Sequence, residues 1–278
     1  MTGSRAPISV IIPMFNSADT IERALGSVAE QILLPGEVFV IDDGSSDQSR
    51  EIVTRWNNPA ISVTLIEHLT NLGPSASRNS GWAQATGDFV AFLDADDAWH
   101  PKKLSIQYKF MTEHENLVLC GHSYEIVEGH CDWPEITSSR EYGAFSFNDF
   151  LFKNRLSTPT VMIKRDVTNR FAPEQRFSED YRLWLEIVKQ HGSAYFLELP
   201  LTRLFKPTIG ETGLSSKMLS MYIGELSTVL SLYRSQTLGF CGLVISLFWL
   251  TVKFTRRKLR IIFSKIRKSE NRIRRSNA

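Results

Sequence analysis

The chain has 278 residues, 42% hydrophobic and 22% charged, which excludes a disordered, collagenous or low-complexity protein and allows a sizeable core. Its net charge of +2 is uneven: residues 251–278 carry eleven basic side chains against the single acid Glu270, a local +10 that leaves −8 for the rest. A mildly acidic body with a basic tail excludes a nucleic-acid binder built on one basic fold and suggests a globular domain with an attachment segment. Cys120, Cys131 and Cys241 are too few, and odd in number, for a disulfide framework, so a reducing, intracellular compartment is expected. Nothing in Met1 to Pro7 has the apolar length of an export signal.

Ile8 to Ile12 is a β-branched run stopped by Pro13, which predicts a buried strand. A helix follows, capped by Ser17 or Asp19, with Ile21, Ala24, Leu25 and Val28 at helical spacing. Glu37 to Ile41 predicts a second strand that ends in the turn sequence Asp42-Asp43-Gly44-Ser45-Ser46-Asp47, with a helix over Ser49 to Trp56. Ile61 to Glu67 is the third strand, and after a Gly73-Pro74 turn a helix runs through Arg78 and Trp82 to a fourth strand, Asp88 to Leu93. This alternation implies right-handed crossovers and a largely parallel sheet. Beyond Pro101, which suits a helix start, the spacing predicts strands over Leu117–Val127, Thr160–Lys164 and Tyr195–Leu199 and a helix over Tyr181–Gln190. Residues 1–235 read as one domain and 236–278 as a tail.

In an open α/β sheet the ligand sits beyond the carboxyl ends of the strands. Three of these ends bear Asn16, the pair Asp42 and Asp43, and the triplet Asp94, Asp96 and Asp97. Carboxylates crowded at one edge repel unless something positive offsets them, and a divalent cation is the simplest offset. Asp is also a common turn and cap residue, the competing account at each position. Mg²⁺ or Mn²⁺ held by carboxylates completes its shell with water and phosphate, so an Asp-x-Asp turn predicts a bound nucleoside diphosphate. No G-x-x-x-x-G-K-[ST] or G-x-G-x-x-G follows any strand, which disfavours P-loop hydrolases and classical dinucleotide enzymes.

Ile8 to Asn16, Val40 to Asp47, Gly73 through Arg78-Asn79-Ser80-Gly81, and Phe92 to Trp99 resemble, in order and spacing, the successive motifs of family 2 glycosyltransferases. The resemblance covers about residues 7–205. It implies the GT-A fold, an α/β Rossmann-like architecture with a mixed, mostly parallel sheet, its nucleotide half over about 7–112 and its acceptor half over about 113–235. It further implies that Pro13, Phe15, Asn16, Asp42, Asp43, Arg78 and Asp94 contact the nucleotide sugar and that Asp94, Asp96 and Asp97 hold Mn²⁺ or Mg²⁺. Ser178-Glu179-Asp180-Tyr181-Arg182-Leu183-Trp184 is similar to the family's Glu-Asp motif, which makes Asp180, with Glu179 beside it, the expected general base of an inverting enzyme. Two acids opening a helix also suit its macrodipole, and the two accounts are compatible.

Cys120, His122, His130 and Cys131 superficially offer four zinc ligands, but adjacent His130 and Cys131 diverge if extended, so a buried thiol and a surface imidazole are the preferred reading. His100 is a candidate for the acceptor cleft, and Lys206 to Ser216, with Gly210 and Gly213, for a lid over the donor. The uncharged run Leu238 to Val252 has fifteen residues, short of the ~20 that span a bilayer. Arg256 to Lys268 interleaves basic and bulky apolar residues, the composition of a helix lying on an anionic leaflet; a helix docked on the domain's own core is the competing account. The expectation is an inverting, metal-dependent transferase peripheral to the cytoplasmic face of the inner membrane. Its donor would be a UDP-sugar and its acceptor a glycan, lipid-linked, in cell-surface polysaccharide or lipopolysaccharide synthesis, with no nucleic-acid partner. The rivals are a nucleotidyltransferase of related fold, an Asp-x-Asp phosphatase and a catalytically silent sugar-nucleotide-binding membrane protein.

Overall fold

The computed structural model describes residues 5–127, 129, 133–136, 142–205 and 218–276, with side chains as far as residue 259. The first part alternates as the periodicity predicts: β1 (Ala6–Met14), α1 (Ile21–Ala29), β2 (Pro35–Asp42), α2 (Ser49–Arg55), β3 (Val63–Glu67), α3 (Pro74–Gln84) and β4 (Phe89–Phe92). There follow β5 (Asp97–Trp99), α4 (Lys103–Glu113), β6 (Leu119–Ile126), β7 (Tyr142–Ser146), α5 (Phe147–Phe152) and a 3₁₀ turn at Thr158–Thr160. The remaining elements are β8 (Met162–Lys164), α6 (Glu179–His191), β9 (Ser193–Leu204), α7 (Met218–Arg234) and α8 (Phe240–Ser276).

The strands form one mixed sheet in the order β3-β2-β1-β4-β8-β6-β9-β5, with β7 also on β9. Pairing is parallel from β3 to β4 and between β6 and β9; β8 is antiparallel to both neighbours, as are β5 and β7 to β9. Period-2 alternation in β1 explains why both faces are dry. Ile8, Val10, Ile12 and Met14 pack with Leu25 and Val28 of α1 and Leu104 of α4, whereas Ile11 joins Trp82 of α3 and Trp184 of α6 on the other face. Gly81 lets α3 lie close on that second face, since a Cβ there would stand 2.7 Å from Ile11 Cγ2 and 2.8 Å from Ile41 Cδ1.

Three departures from the predicted elements matter. β9 extends from Ser193 to Leu204 rather than ending at Leu199, its register against β6 shifting between His122 and Tyr124 near Pro200, where the missing N–H breaks the ladder. Its last residues pair with Asp97, Ala98 and Trp99, turning the end of the acidic motif into strand β5. Helix α7 follows, and α8 is one helix of 37 residues whose start packs on the body: Leu238 just before it and Leu243 and Leu250 within it enter the core, and Trp249 Nε1 donates to Phe152 O at 2.8 Å. Among the described residues no helix is long and apolar enough to cross a membrane.

Candidate active site

At the carboxyl edge of the parallel strands, Asp43 organises the loops. Its buried carboxylate accepts the Leu72 N–H at 3.0 Å and the Gly73 N–H at 2.8 Å, while His68 Nδ1 lies 2.8 Å from Oδ1 and His68 Nε2 lies 2.9 Å from Ser80 Oγ. Asp43 thereby fixes the turn into α3, where Gly73 takes a φ of 93° that suits only glycine. Asp42 accepts the Ser45 N–H at 3.1 Å, with Arg50 Nε 3.8 Å away. Asn16, at φ 49°, donates its N–H to Ser45 Oγ and accepts the Ser46 N–H on Oδ1, both at 2.9 Å; a short amide side chain tolerates this left-handed backbone. Beside it Phe15 is exposed and Pro13 partly so. These groups line one edge, as their strand-end positions predict.

The acidic turn leaves β4 and is closed by the Asp97 N–H donating to Asp94 O at 3.0 Å. A ligand atom from each of Asp94, Asp96 and Asp97 lies within 4.8 Å of the others. Arg23 Nη2 donates to Asp96 O at 2.5 Å, and the Phe205 N–H reaches Asp97 Oδ1 at 3.3 Å. Three convergent carboxylate oxygens are the hard donor set that suits Mg²⁺ or Mn²⁺, so these residues fit such a cation.

Arg78, buried on α3, joins this turn to the start of α6. Nη2 donates to Asp94 Oδ1 at 2.8 Å and Nη1 to Glu179 Oε1 at 2.9 Å, and the guanidinium lies 5.3 Å from the Phe171 ring. Burial opposes its charge, but Asp94 and Glu179 together outweigh that and raise its pKa above the ordinary value. Sequence placed Arg78 only near a nucleotide; its role as a bridge between two distant acids depends on packing.

Asp180 opens α6 beside Glu179. It is half-buried, its Oδ1 accepts the Tyr181 N–H at 2.7 Å and its Oδ2 accepts Asn154 Nδ2 at 3.0 Å. Desolvation foremost, then repulsion from Glu179, pushes its carboxyl up to about 7, against the lowering effects of those two hydrogen bonds and of Arg78. A carboxyl poised there can take a proton near neutrality. Asn154 lies 26 residues before Asp180, and no local motif announces it.

The family model for glycosyl transferase family 2 matches residues 9–170, more than half of the chain, including the strand ends that bear Asn16, Asp42, Asp43 and Asp94. The chain belongs to glycosyl transferase family 2. Among its relatives is the Escherichia coli UDP-Glc:alpha-D-GlcNAc-diphosphoundecaprenol beta-1,3-glucosyltransferase WfgD, 30% identical over 185 residues that cover 66% of this chain and 71% of that one. The putative teichuronic acid biosynthesis glycosyltransferase TuaG of Bacillus subtilis is 30% identical over 197 residues, covering 70% and 77%. In fold the chain is similar to S. aureus TarS 1-349 in complex with UDP-GlcNAc, with a TM-score of 0.63 at 24% identity over 80% of this chain and 66% of that one. It also resembles the mannosyltransferase PcManGT from Pyrobaculum calidifontis, in complex with GDP-Man and Mn²⁺, with a TM-score of 0.61 at 20% identity over 84% and 66%. These solved structures support the GT-A architecture expected of a family 2 glycosyltransferase.

Away from this edge of the glycosyltransferase, Cys120 and His122 are both buried on β6, and burial first, then nearby Lys103, pushes the His122 imidazole down to about 3. The expected surface imidazole is therefore a core residue at position 122; His130 and Cys131 lie outside the described residues, as does the lid candidate over 206–216. His100 is buried as well, its ring 5.2 Å from that of Trp133. Lys103, which no motif singled out, is fully buried with Nζ 3.7 Å from the Trp99 ring and no hydrogen-bond partner among the described residues. Desolvation holds its amine well below the ordinary lysine range.

Proposed function

We propose that this family 2 enzyme transfers a sugar, with inversion, from a UDP-sugar to a hydroxyl of a glycan carried on a lipid, in cell-surface polysaccharide synthesis. The observation that carries this reading is the Arg78 bridge: one buried guanidinium spans Asp94 of the acidic turn and Glu179, the neighbour of Asp180, so a diphosphate site and a proton acceptor belong to one centre. The UDP and lipid-linked parts are supported by what relatives are named for, a UDP-Glc-dependent enzyme acting on a diphosphoundecaprenol acceptor and a fold neighbour solved with UDP-GlcNAc.

In this mechanism Phe15 and Pro13 border the base, the loop organised by Asp43 and Asn16 borders the ribose, and Asp94, Asp96 and Asp97 would hold a divalent cation. Such a cation, when bound, offsets the charge of the diphosphate. Arg78, donating to Asp94 Oδ1 at 2.8 Å, holds that carboxylate in place. Asp180 accepts the proton of the acceptor hydroxyl as the hydroxyl oxygen attacks the anomeric carbon and the UDP oxygen departs. The carboxyl near 7 is a competent base because it is substantially ionised at neutral pH while still basic enough to hold the proton.

Peripheral attachment to an anionic membrane belongs to the same reading. Phe240, Val244 and Phe248, at i, i+4 and i+8 of α8, are 67%, 50% and 70% exposed, with Arg256, Arg257 and Lys258 exposed further along. An apolar stripe followed by cations suits a lipid headgroup boundary. The test of function is incubation with a panel of nucleotide sugars and Mn²⁺, following nucleotide release with and without a lipid-linked acceptor. UDP release stimulated by the acceptor is expected, with Asp96→Asn losing the Mn²⁺-dependent part of UDP affinity. No turnover with any UDP-sugar, or equal Mn²⁺ dependence in Asp96→Asn, refutes the reading.

A further inference from the structure

Two residues before Asp180, Ser178 holds a left-handed backbone, φ 56° and ψ 29°. For a residue with a Cβ this backbone is strained and persists only where the surroundings impose it. The imposing groups are Gln175 and helix α7. Gln175 Nε2 lies 2.9 Å from Phe177 O, 3.0 Å from Ser178 O, 3.2 Å from Gly224 O and 3.0 Å from Thr228 Oγ1, so one buried amide, sharing its two N–H groups among these acceptors, ties the carbonyls of Phe177 and of the strained Ser178 to α7. The backbone carbonyl of Gln175 accepts Ser75 Oγ of α3 at 2.9 Å. Gly224 makes the approach possible, because a Cβ there would lie 2.2 Å from Phe177 O and 2.9 Å from Phe177 C. Those atoms are backbone, so they yield only if α7 or the Phe177–Ser178 turn moves.

We infer that Gln175 and Gly224 are positioning residues for catalysis: they clamp the turn before α6 against α7 and so set the direction in which Asp180 presents its carboxylate. The inference rests on the reading of Asp180 as the base. It extends that reading to a segment wholly outside the family-model match, which ends at residue 170. Ser178 is the pivot of this arrangement. A change of its dihedrals swings the first turn of α6, and with it Asp180, whereas the edge on β1, β2 and β4 is joined to that turn through the Arg78–Glu179 ion pair. A misplacement on the order of 1 Å at a reacting group costs ~10²-fold in rate.

The experiment compares the full-length parent with Gln175→Leu, Gln175→Leu/Ser178→Gly, Gly224→Ala and Asp180→Asn. It measures kcat, donor KM, the acid limb of the pH–rate profile, UDP affinity and thermal midpoint. Gln175→Leu and Gly224→Ala are expected to lower kcat ~10–100-fold, with UDP affinity unchanged and the acid limb displaced. Adding Ser178→Gly should recover part of the loss, since glycine takes the left-handed backbone without the clamp. Parental kcat and acid limb in both single variants overturn the inference. So does a loss that Ser178→Gly leaves untouched, which would mark Gln175 as a stability residue alone. Should Gln175→Leu fail to bind UDP, Thr228→Val, which removes one anchor of the amide and spares the backbone, is measured against the same criteria. Retained turnover in Asp180→Asn refutes the base itself; an inactive Asp180→Asn beside parental clamp variants refutes only the clamp.

Discussion

Asp180→Asn should produce an enzyme that is both nearly inactive and more stable. The substitution is almost isosteric and keeps an oxygen for Asn154, so UDP affinity is expected to survive while turnover falls ~10²–10⁴-fold with the loss of a general base. Stability follows from the carboxyl being raised from 3.8 to about 7 in the folded protein, chiefly by desolvation and then by Glu179. A folded state that binds the proton more tightly than the unfolded chain loses stability as pH rises between those two values and bears the full penalty above the upper one. At ~1.4 kcal/mol per pH unit the gap corresponds to ~4 kcal/mol, which screening of a half-buried group reduces to ~2 kcal/mol. Urea unfolding of parent and variant from pH 4 to 8 measures this. The two curves should coincide near pH 4 and separate through pH 7, the variant being the more stable. Coincidence across the range refutes the desolvated-carboxyl argument, and retained UDP release refutes the base.

Arg78→Met leaves Asp94 and Glu179 as unpaired, desolvated carboxylates and should cost ~3–5 kcal/mol by urea unfolding. It should also push the acid limb of the pH–rate profile upward, because Arg78 lowers the Asp180 carboxyl; a loss below ~1 kcal/mol with an unmoved limb refutes the bridge. Lys103→Met should stabilise by ~1–3 kcal/mol at neutral pH. The folded amine is held well below 10.5, so the parent gains stability as pH rises toward that value and the advantage of the variant should shrink there, whereas destabilisation at every pH would show Lys103 to be paired and charged. Flotation with anionic liposomes should weaken but persist at high salt, because Phe240, Val244 and Phe248 are insensitive to screening, and Phe248→Ser should make it salt-labile; no flotation of the full chain refutes the α8 reading.

The parts of this protein set by local chemistry were legible in the residues themselves. Ile8 to Ile12 alternates between two apolar faces, Gly73 suits a turn no other residue tolerates, and acids at the ends of β2 and β4 mark the candidate site edge, because period and turn preference act over a few positions. The pairings that complete the site are long-range and had no such signal. Asp94 and Glu179 meet on Arg78 across 16 and 101 residues of chain, and Asn154 reaches Asp180 across 26. The acidic turn became part of strand β5 only because β9 runs on past Pro200 to meet it. A buried position accepts many apolar side chains and its partners leave no pattern in the chain, so Lys103 against Trp99, and Gln175 between α6 and α7, are decided where elements distant in sequence exclude water together.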